Sequence, residues 1–103
     1  MAEAEFTATG VRIGRRLRSL TRGGQVLIRD GRLVLLTSRG REIDSAPVED
    51  VRALTARFAV KRRTLARLNG TGYLLTLRQQ GATSASRFME VLHTARQKVT
   101  SGR

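Results

Sequence analysis

The sequence predicts a mostly β domain with one C-terminal α-helix. Three observations carry this. Two dipeptides, Asp30-Gly31 and Asn69-Gly70, stand between apolar runs where hairpins place their tight turns, because Asn, Asp and Gly tolerate the positive φ such turns need. The runs beside them, Val26-Leu27-Ile28, Leu33-Val34-Leu35-Leu36 and Tyr73-Leu74-Leu75-Thr76-Leu77, are short enough for strands. Near the C-terminus, Phe88, Leu92, Ala95 and Val99 recur at i, i+4, i+7 and i+11, the period of one helical face.

Taken in order, residues 1–10 are small and polar with two acidic and no basic side chains, and are expected to be poorly ordered. Residues 11–22 hold five arginines, Arg12, Arg15, Arg16, Arg18 and Arg22. Ile13, Leu17 and Leu20 fit one face of a helix there, while Val11 and Ile13 also fit a strand, and Gly14 weakens both. Gly23-Gly24 is expected to end this segment. A β-meander follows: 26–28, the turn at Asp30-Gly31, a strand over Arg32–Thr37, a second turn at Ser38-Arg39-Gly40, and a short strand over Arg41–Asp44. Gln79–Thr83 is polar loop. The helix is expected over 84–99, with Ser84 or Ser86 as its cap, and residues 100–103 are expected to fray.

The stretch 47–68 admits two readings. Val51, Leu54, Phe58, Leu65 and Leu68 sit at helical offsets, and Pro47, Glu49 and Asp50 suit a helix start, which would give an α+β alternative with a long helix over 47–68. Against this, Leu54, Ala56 and Phe58 alternate as in a strand, and 64–68 and 73–77 flank Asn69-Gly70 as the arms of a hairpin. The strand over Gly72–Leu77 needs a neighbour for its backbone groups, which favours the hairpin and turns Lys61-Arg62-Arg63 into a basic loop. The failure of Leu65 and Leu68 to alternate counts the other way.

The order of several short strands and one terminal amphipathic helix resembles a pleckstrin-homology-like domain. GRLVLLTSRGREIDSAPVEDVRAL (31–54) is similar to the core of bacterial members, ARLNGTGYLLTL (66–77) to their later hairpin, and SRFMEVLHTAR (86–96) to the helix that plugs one end of their partly open barrel. The likeness covers roughly residues 25–98. It implies a partly open antiparallel barrel or sandwich capped by helix 84–99, with 11–99 as one domain and 11–22 as its basic N-terminal part. Six strands are evident where the family has seven: either the missing one lies in 11–22 or the sheet is short. Phe88 stands where eukaryotic members carry tryptophan. No phosphoinositide signature matches residue by residue, and Arg29-Asp30-Gly31-Arg32 is too tight to cradle a headgroup.

The composition bounds function. The chain has 103 residues, which suits one domain, by itself or within a larger protein. It has no cysteine, so no disulfide and no thiolate chemistry. Twenty basic against eight acidic residues give a net charge of +12, and all but two of the basic residues are arginine. Such a balance favours anionic partners, although arginine also serves merely as a solubilising residue. The longest apolar run, Leu33–Leu36, is far short of the ~20 residues that span a bilayer. The N-terminus lacks the long apolar stretch of a secretory signal. The expectation is a cytoplasmic protein, peripheral to the inner face of the membrane if lipid is the ligand.

Catalysis is not expected. His93 lies off the apolar helix face, and no second metal ligand stands at a suitable spacing, so neither a metal nor a cofactor is predicted. Glu42 and Asp44 share one side of a strand at i, i+2 and could act as paired carboxylates, but Arg39 and Arg41 beside them point to an exposed ion-pair face. Gly23, Gly24 and Gly31 have no nucleotide-binding spacing. Two basic clusters remain as anion-binding candidates: Arg12, Arg15, Arg16, Arg18 and Arg22, and Lys61, Arg62 and Arg63 with Arg57 and Arg67. The functional expectation is a non-catalytic binding or adaptor module recruited to anionic membrane lipid or to an acidic protein. Nucleic acid bound through its phosphates is the alternative, weakened by having only four aromatic residues. Protein interaction or homo-oligomerisation through sheet edges is the third class.

Overall fold

The computed structural model describes residues 5–15, 18–55, 63–77 and 84–101. Seven strands, β1 (Phe6–Arg15), β2 (Arg18–Arg29), β3 (Arg32–Leu36), β4 (Glu42–Pro47), β5 (Arg52–Thr55), β6 (Arg63–Leu68) and β7 (Thr71–Thr76), precede one helix, α1 (Ala85–Ser101). They form one antiparallel sheet in the order β4-β3-β2-β1-β7-β6-β5, with β4 and β5 as its unpaired edges. The sheet is not closed, and α1 completes the domain, as the predicted fold class requires. Among the described residues no helix is long and apolar enough to cross a membrane.

Both predicted turns are present. Asp30 and Gly31 have φ of 53° and 74°, and Asn69 and Gly70 have 52° and 79°, so all four central residues are left-handed. The Asn69-Gly70 turn joins β6 to β7 in unbroken register from Arg63↔Thr76 to Leu68↔Thr71. This excludes the long helix over 47–68. Among the described residues of that stretch only Val48–Asp50 is helical, as one 3-10 turn, and Arg52–Thr55 pairs with Thr64–Arg67 as strand. The helical spacing of Leu65 and Leu68 was coincidental: on β6 they fall on opposite faces, Leu68 buried and Leu65 out in solvent. Arg63 opens β6 rather than sitting in a loop, while Lys61 and Arg62 lie outside the described residues.

The N-terminal third departs most from expectation. Phe6–Gly10, expected to be poorly ordered, form the first half of β1; residues 1–4 lie outside the described residues. Phe6 is buried with its ring 5.5 Å from that of Phe88, edge to face at 63°. Residues 11–15 and 18–22 are not helical but lie in the two arms of a hairpin, paired Ile13↔Thr21, Gly14↔Ser19 and Arg15↔Arg18, while Arg16 and Leu17 lie outside the described residues. Each arm satisfies the other's backbone groups, which a Gly-containing helical turn would do less well. Here lies the seventh strand. Its alternation slips once, from Ala8 to Val11, where Gly10 takes a φ of 66° and the pairing with β2 bulges.

Nor does Gly23-Gly24 end a segment, since β2 runs straight through it. A Cβ on Gly24 would lie 2.6 Å from the Leu36 carbonyl oxygen and 2.6 Å from Thr21 Cγ2. The glycine is there so that neighbouring backbone can approach, a strand role rather than punctuation.

The core is built from alternate residues of the strands, among them Ile13, Val26, Ile28, Leu33, Leu35, Ala66, Leu68, Tyr73 and Leu75, closed by Phe88, Leu92 and Ala95 of α1. The helix begins as predicted: the Arg87 amide donates to Ser84 Oγ at 3.2 Å. It continues to Ser101, beyond the expected end at residue 99. His93 is exposed, away from the apolar face.

Candidate functional site

The faces of β1, β7 and β6 that turn away from the core form the floor of a groove of about 380 Å³. Strand register fixes its layout. Arg12 and Arg63 both lie beside Thr76, from either side. The next row in the same sense is Gly14, Leu74 and Leu65, and beyond it comes Gly72. Arg15, Arg18 and Ser19, at the tip of the β1–β2 hairpin, complete the lining. A row lies two residues from the next, about 6–7 Å along a strand. The groove therefore reads as a cation pair, a leucine pair, and a glycine floor beside two further cations.

Strand formation brings these groups together from distant parts of the chain. Arg12, Arg15 and Arg18 come from the first predicted basic cluster and Arg63 from the second. Arg22 and Arg67 are exposed but do not line the groove. Arg16, Arg57, Lys61 and Arg62 lie outside the described residues. Among the described residues the lining contains no carboxylate to neutralise the arginines, and no aromatic side chain.

Leu65 and Leu74 belong to the site and were missed as such in the sequence. They are cross-strand partners and, among the described residues, the exposed large apolar side chains, at 46% and 36%. Both left a trace: Leu65 breaks alternation with Leu68, and in Leu74-Leu75 one of two consecutive strand residues must face outward. Gly14 and Gly72 add no side chain over them, which keeps the leucines open to solvent. At Gly14 a side chain would also meet the Arg18 carbonyl oxygen at 3.0 Å.

A polar cluster supports one end of this groove. Tyr73 is buried, and its hydroxyl donates to Asp44 Oδ2 at 2.8 Å. Asp44 Oδ1 accepts from Asn69 Nδ2 at 2.8 Å and from the Ser45 amide at 2.8 Å, and Asn69 Nδ2 also donates to the Ser45 carbonyl at 2.9 Å. The carboxylate so ties edge strand β4 to β7 and to the β6–β7 turn. Asp44 thus has a different task from the exposed ion pairing with Arg39 and Arg41 read from sequence. Glu42, two residues away, accepts instead from Ser45 Oγ at 3.4 Å.

Burial raises the Tyr73 hydroxyl above its ordinary value of 10.0, and the hydrogen bond to the Asp44 carboxylate and that group's negative charge raise it further. The Arg15 guanidinium opposes them. A folded-state value above the unfolded one stabilises the fold below the unfolded value, and that contribution is lost as pH rises through the folded value. Tyr73 is the only tyrosine in the chain, so ultraviolet phenolate absorbance reports it alone. The expected titration midpoint in the native protein lies above that of the urea-unfolded chain, and Asp44→Asn brings it down. Coincident native and unfolded midpoints would refute the assignment.

The fold is similar to that of known structures. Two solved Vav1 chains, the apo structure of an activated truncation and a form inhibited by an allosteric inhibitor, each align with a TM-score of 0.64 at 14% identity over 93% of this chain. The chain spans 27% of the length of each. No family model and no curated protein matches the sequence. Vav1 contains a pleckstrin-homology domain, and a seven-stranded antiparallel sheet with a C-terminal helix is consistent with that fold: the likeness bears on architecture, and it agrees with the pleckstrin-homology-like barrel expected from residues 25–98.

Proposed function

We propose that this chain is a non-catalytic binding module that recruits an acidic partner through the groove over β1, β7 and β6. One observation carries the reading: Arg12, Arg15, Arg18 and Arg63, from the first strands and from the middle of the sequence, line one concavity that holds no carboxylate among the described residues. Unneutralised guanidinium groups in a shaped recess concentrate positive potential, steering anions and binding carboxylates or phosphates through paired donors. The remaining polar side chains of the groove, Ser19 and Thr76, have no base among its lining, which supports binding rather than catalysis.

Among anionic partners, an acidic protein suits the shape better than a bilayer. The leucines sit between arginine rows in a recess, where a protein segment can enter and a flat lipid surface reaches less well. Nucleic acid is disfavoured because the described lining of the groove has no aromatic surface for stacking bases.

The test is binding of polyglutamate, of vesicles with and without acidic lipid, and of duplex DNA, at low and moderate salt. Polyglutamate binding is expected to weaken as the Debye length falls to ~8–10 Å. The double variant Arg12→Glu, Arg63→Glu is expected to lose about tenfold or more of its affinity, because like charges then face the ligand. If no anionic probe binds at low salt, the positive charge is only solubilising and the reading is wrong.

A further inference from the structure

We infer that the groove binds an extended acidic peptide segment in which an aliphatic or aromatic residue is flanked by a carboxylate two positions to either side. The inference rests on the acidic-partner reading and specifies the partner. Three features of the floor lead to it.

The first is spacing. An extended chain places side chains i and i+2 on one side, about 6–7 Å apart, the same interval as that between rows along β7. The rows are Arg12 with Arg63, then Leu65 with Leu74, then the Gly72 row beside the hairpin tip that carries Arg15 and Arg18. A segment of the form acidic-x-apolar-x-acidic, laid along β7, sets each side chain over its complement.

The second is the exposed leucine pair. A single exposed apolar side chain is ordinary, but these two are adjacent cross-strand partners and stand open in a groove lined by four arginines. Charge alone does not explain them. An apolar anchor does, since seating it removes both leucines from water and excludes water from the flanking ion pairs. The third is the pair of glycines, Gly14 and Gly72, which leave room for a backbone to approach the floor. β1, β7 and β6 already pair with one another, so the segment lies across the sheet face and is held by side chains, not as an added strand. A second copy of this chain is a poor occupant, because its net charge of +12 opposes approach to a basic groove.

The experiment is an NMR titration of the full chain with the synthetic peptide Ser-Glu-Ser-Phe-Ser-Glu-Ser and its isomer Phe-Ser-Ser-Ser-Glu-Glu-Ser, with acidic vesicles in parallel. The first peptide is expected to bind about tenfold more tightly, with amide shifts centred on Leu65, Leu74 and Thr76. Leu65→Ser is expected to abolish that preference while retaining weak, salt-sensitive binding of both peptides. Leu65 is exposed, so this variant is expected to keep the wild-type circular dichroism and melting temperature; Leu74→Ser provides an independent check. Equal binding of the isomers would overturn the patterned segment and leave charge recruitment standing. Vesicle binding that depends on Leu65, without peptide binding, would overturn it in favour of lipid. Failure of every anionic probe would overturn both readings.

Discussion

Phe88→Ala is expected to lower the unfolding free energy by about 3–5 kcal/mol, the usual loss for a buried Phe truncated in a packed core. The side chain is fully buried, and its ring meets Phe6 edge to face at 5.5 Å. It joins the helix to the first strand, which lie at opposite ends of the sequence. A domain of this size has roughly 5–15 kcal/mol in all, so a single truncation removes a large share of it. Loss of packing around Phe6 also loosens the start of β1, which then keeps its pairing to Val26–Ile28 of β2 and the small buried Ala8. Urea denaturation followed by circular dichroism measures the loss. A change under ~1 kcal/mol would mean that the helix cap contributes little, and that the sheet is stable without it. Phe6→Ala is the companion measurement: because the two rings touch, the double variant should lose less than the sum of the single ones.

The same pair shows what could be read from the sequence and what could not. Phe88 was recognised as core because the helix repeats it with Leu92 and Ala95, a pattern local to a dozen residues. Phe6 was lost in a polar neighbourhood, since its partner is 82 positions away and β1 alternates with Thr and Gly rather than with charge. The two Asn/Asp-Gly turns were legible for the same reason as the helix: a positive φ is a property of the dipeptide itself. The basic clusters were legible as composition, yet not as a site. That Arg12 and Arg63 flank one residue, Thr76, follows from strand order β1-β7-β6, which no local pattern encodes. Leu65 was visible as an irregularity but not as a site residue, because periodicity marks an apolar residue without saying which side of the sheet it occupies. Gly24 similarly looked like a break, when its small size serves a contact with Leu36 that lies twelve residues on.

Asp44→Ala is expected to cost about 3 kcal/mol, although Asp44 is not fully buried. The carboxylate accepts from the Tyr73 hydroxyl, from Asn69 Nδ2 and from the Ser45 amide. Hydrogen bonds to a charged acceptor are worth about 1.5–3 kcal/mol each, less where water can replace the acceptor. For Asn69, which is exposed and keeps its bond to the Ser45 carbonyl, water substitutes readily. For Tyr73 it does so less well, because the residue is buried and its hydroxyl sits between β4 and β7. Most of the loss is thus assigned to the phenol that loses its carboxylate acceptor, which makes a control: Tyr73→Phe in the Asp44→Ala background should cost less than Tyr73→Phe in the wild type, where two independent defects would add. Chemical denaturation of the four proteins completes that cycle, and strict additivity would remove Asp44 as the partner that matters. The cluster also bears on the groove. Arg15 is a lining residue whose positive charge acts on the Tyr73 hydroxyl, so removing the Asp44 carboxylate takes one negative charge from the neighbourhood of the groove and removes nothing from its lining. Loss of stability with unchanged or tighter binding of the Ser-Glu-Ser-Phe-Ser-Glu-Ser peptide is therefore the expected signature of Asp44→Ala, and it separates a support for the fold from a part of the binding surface.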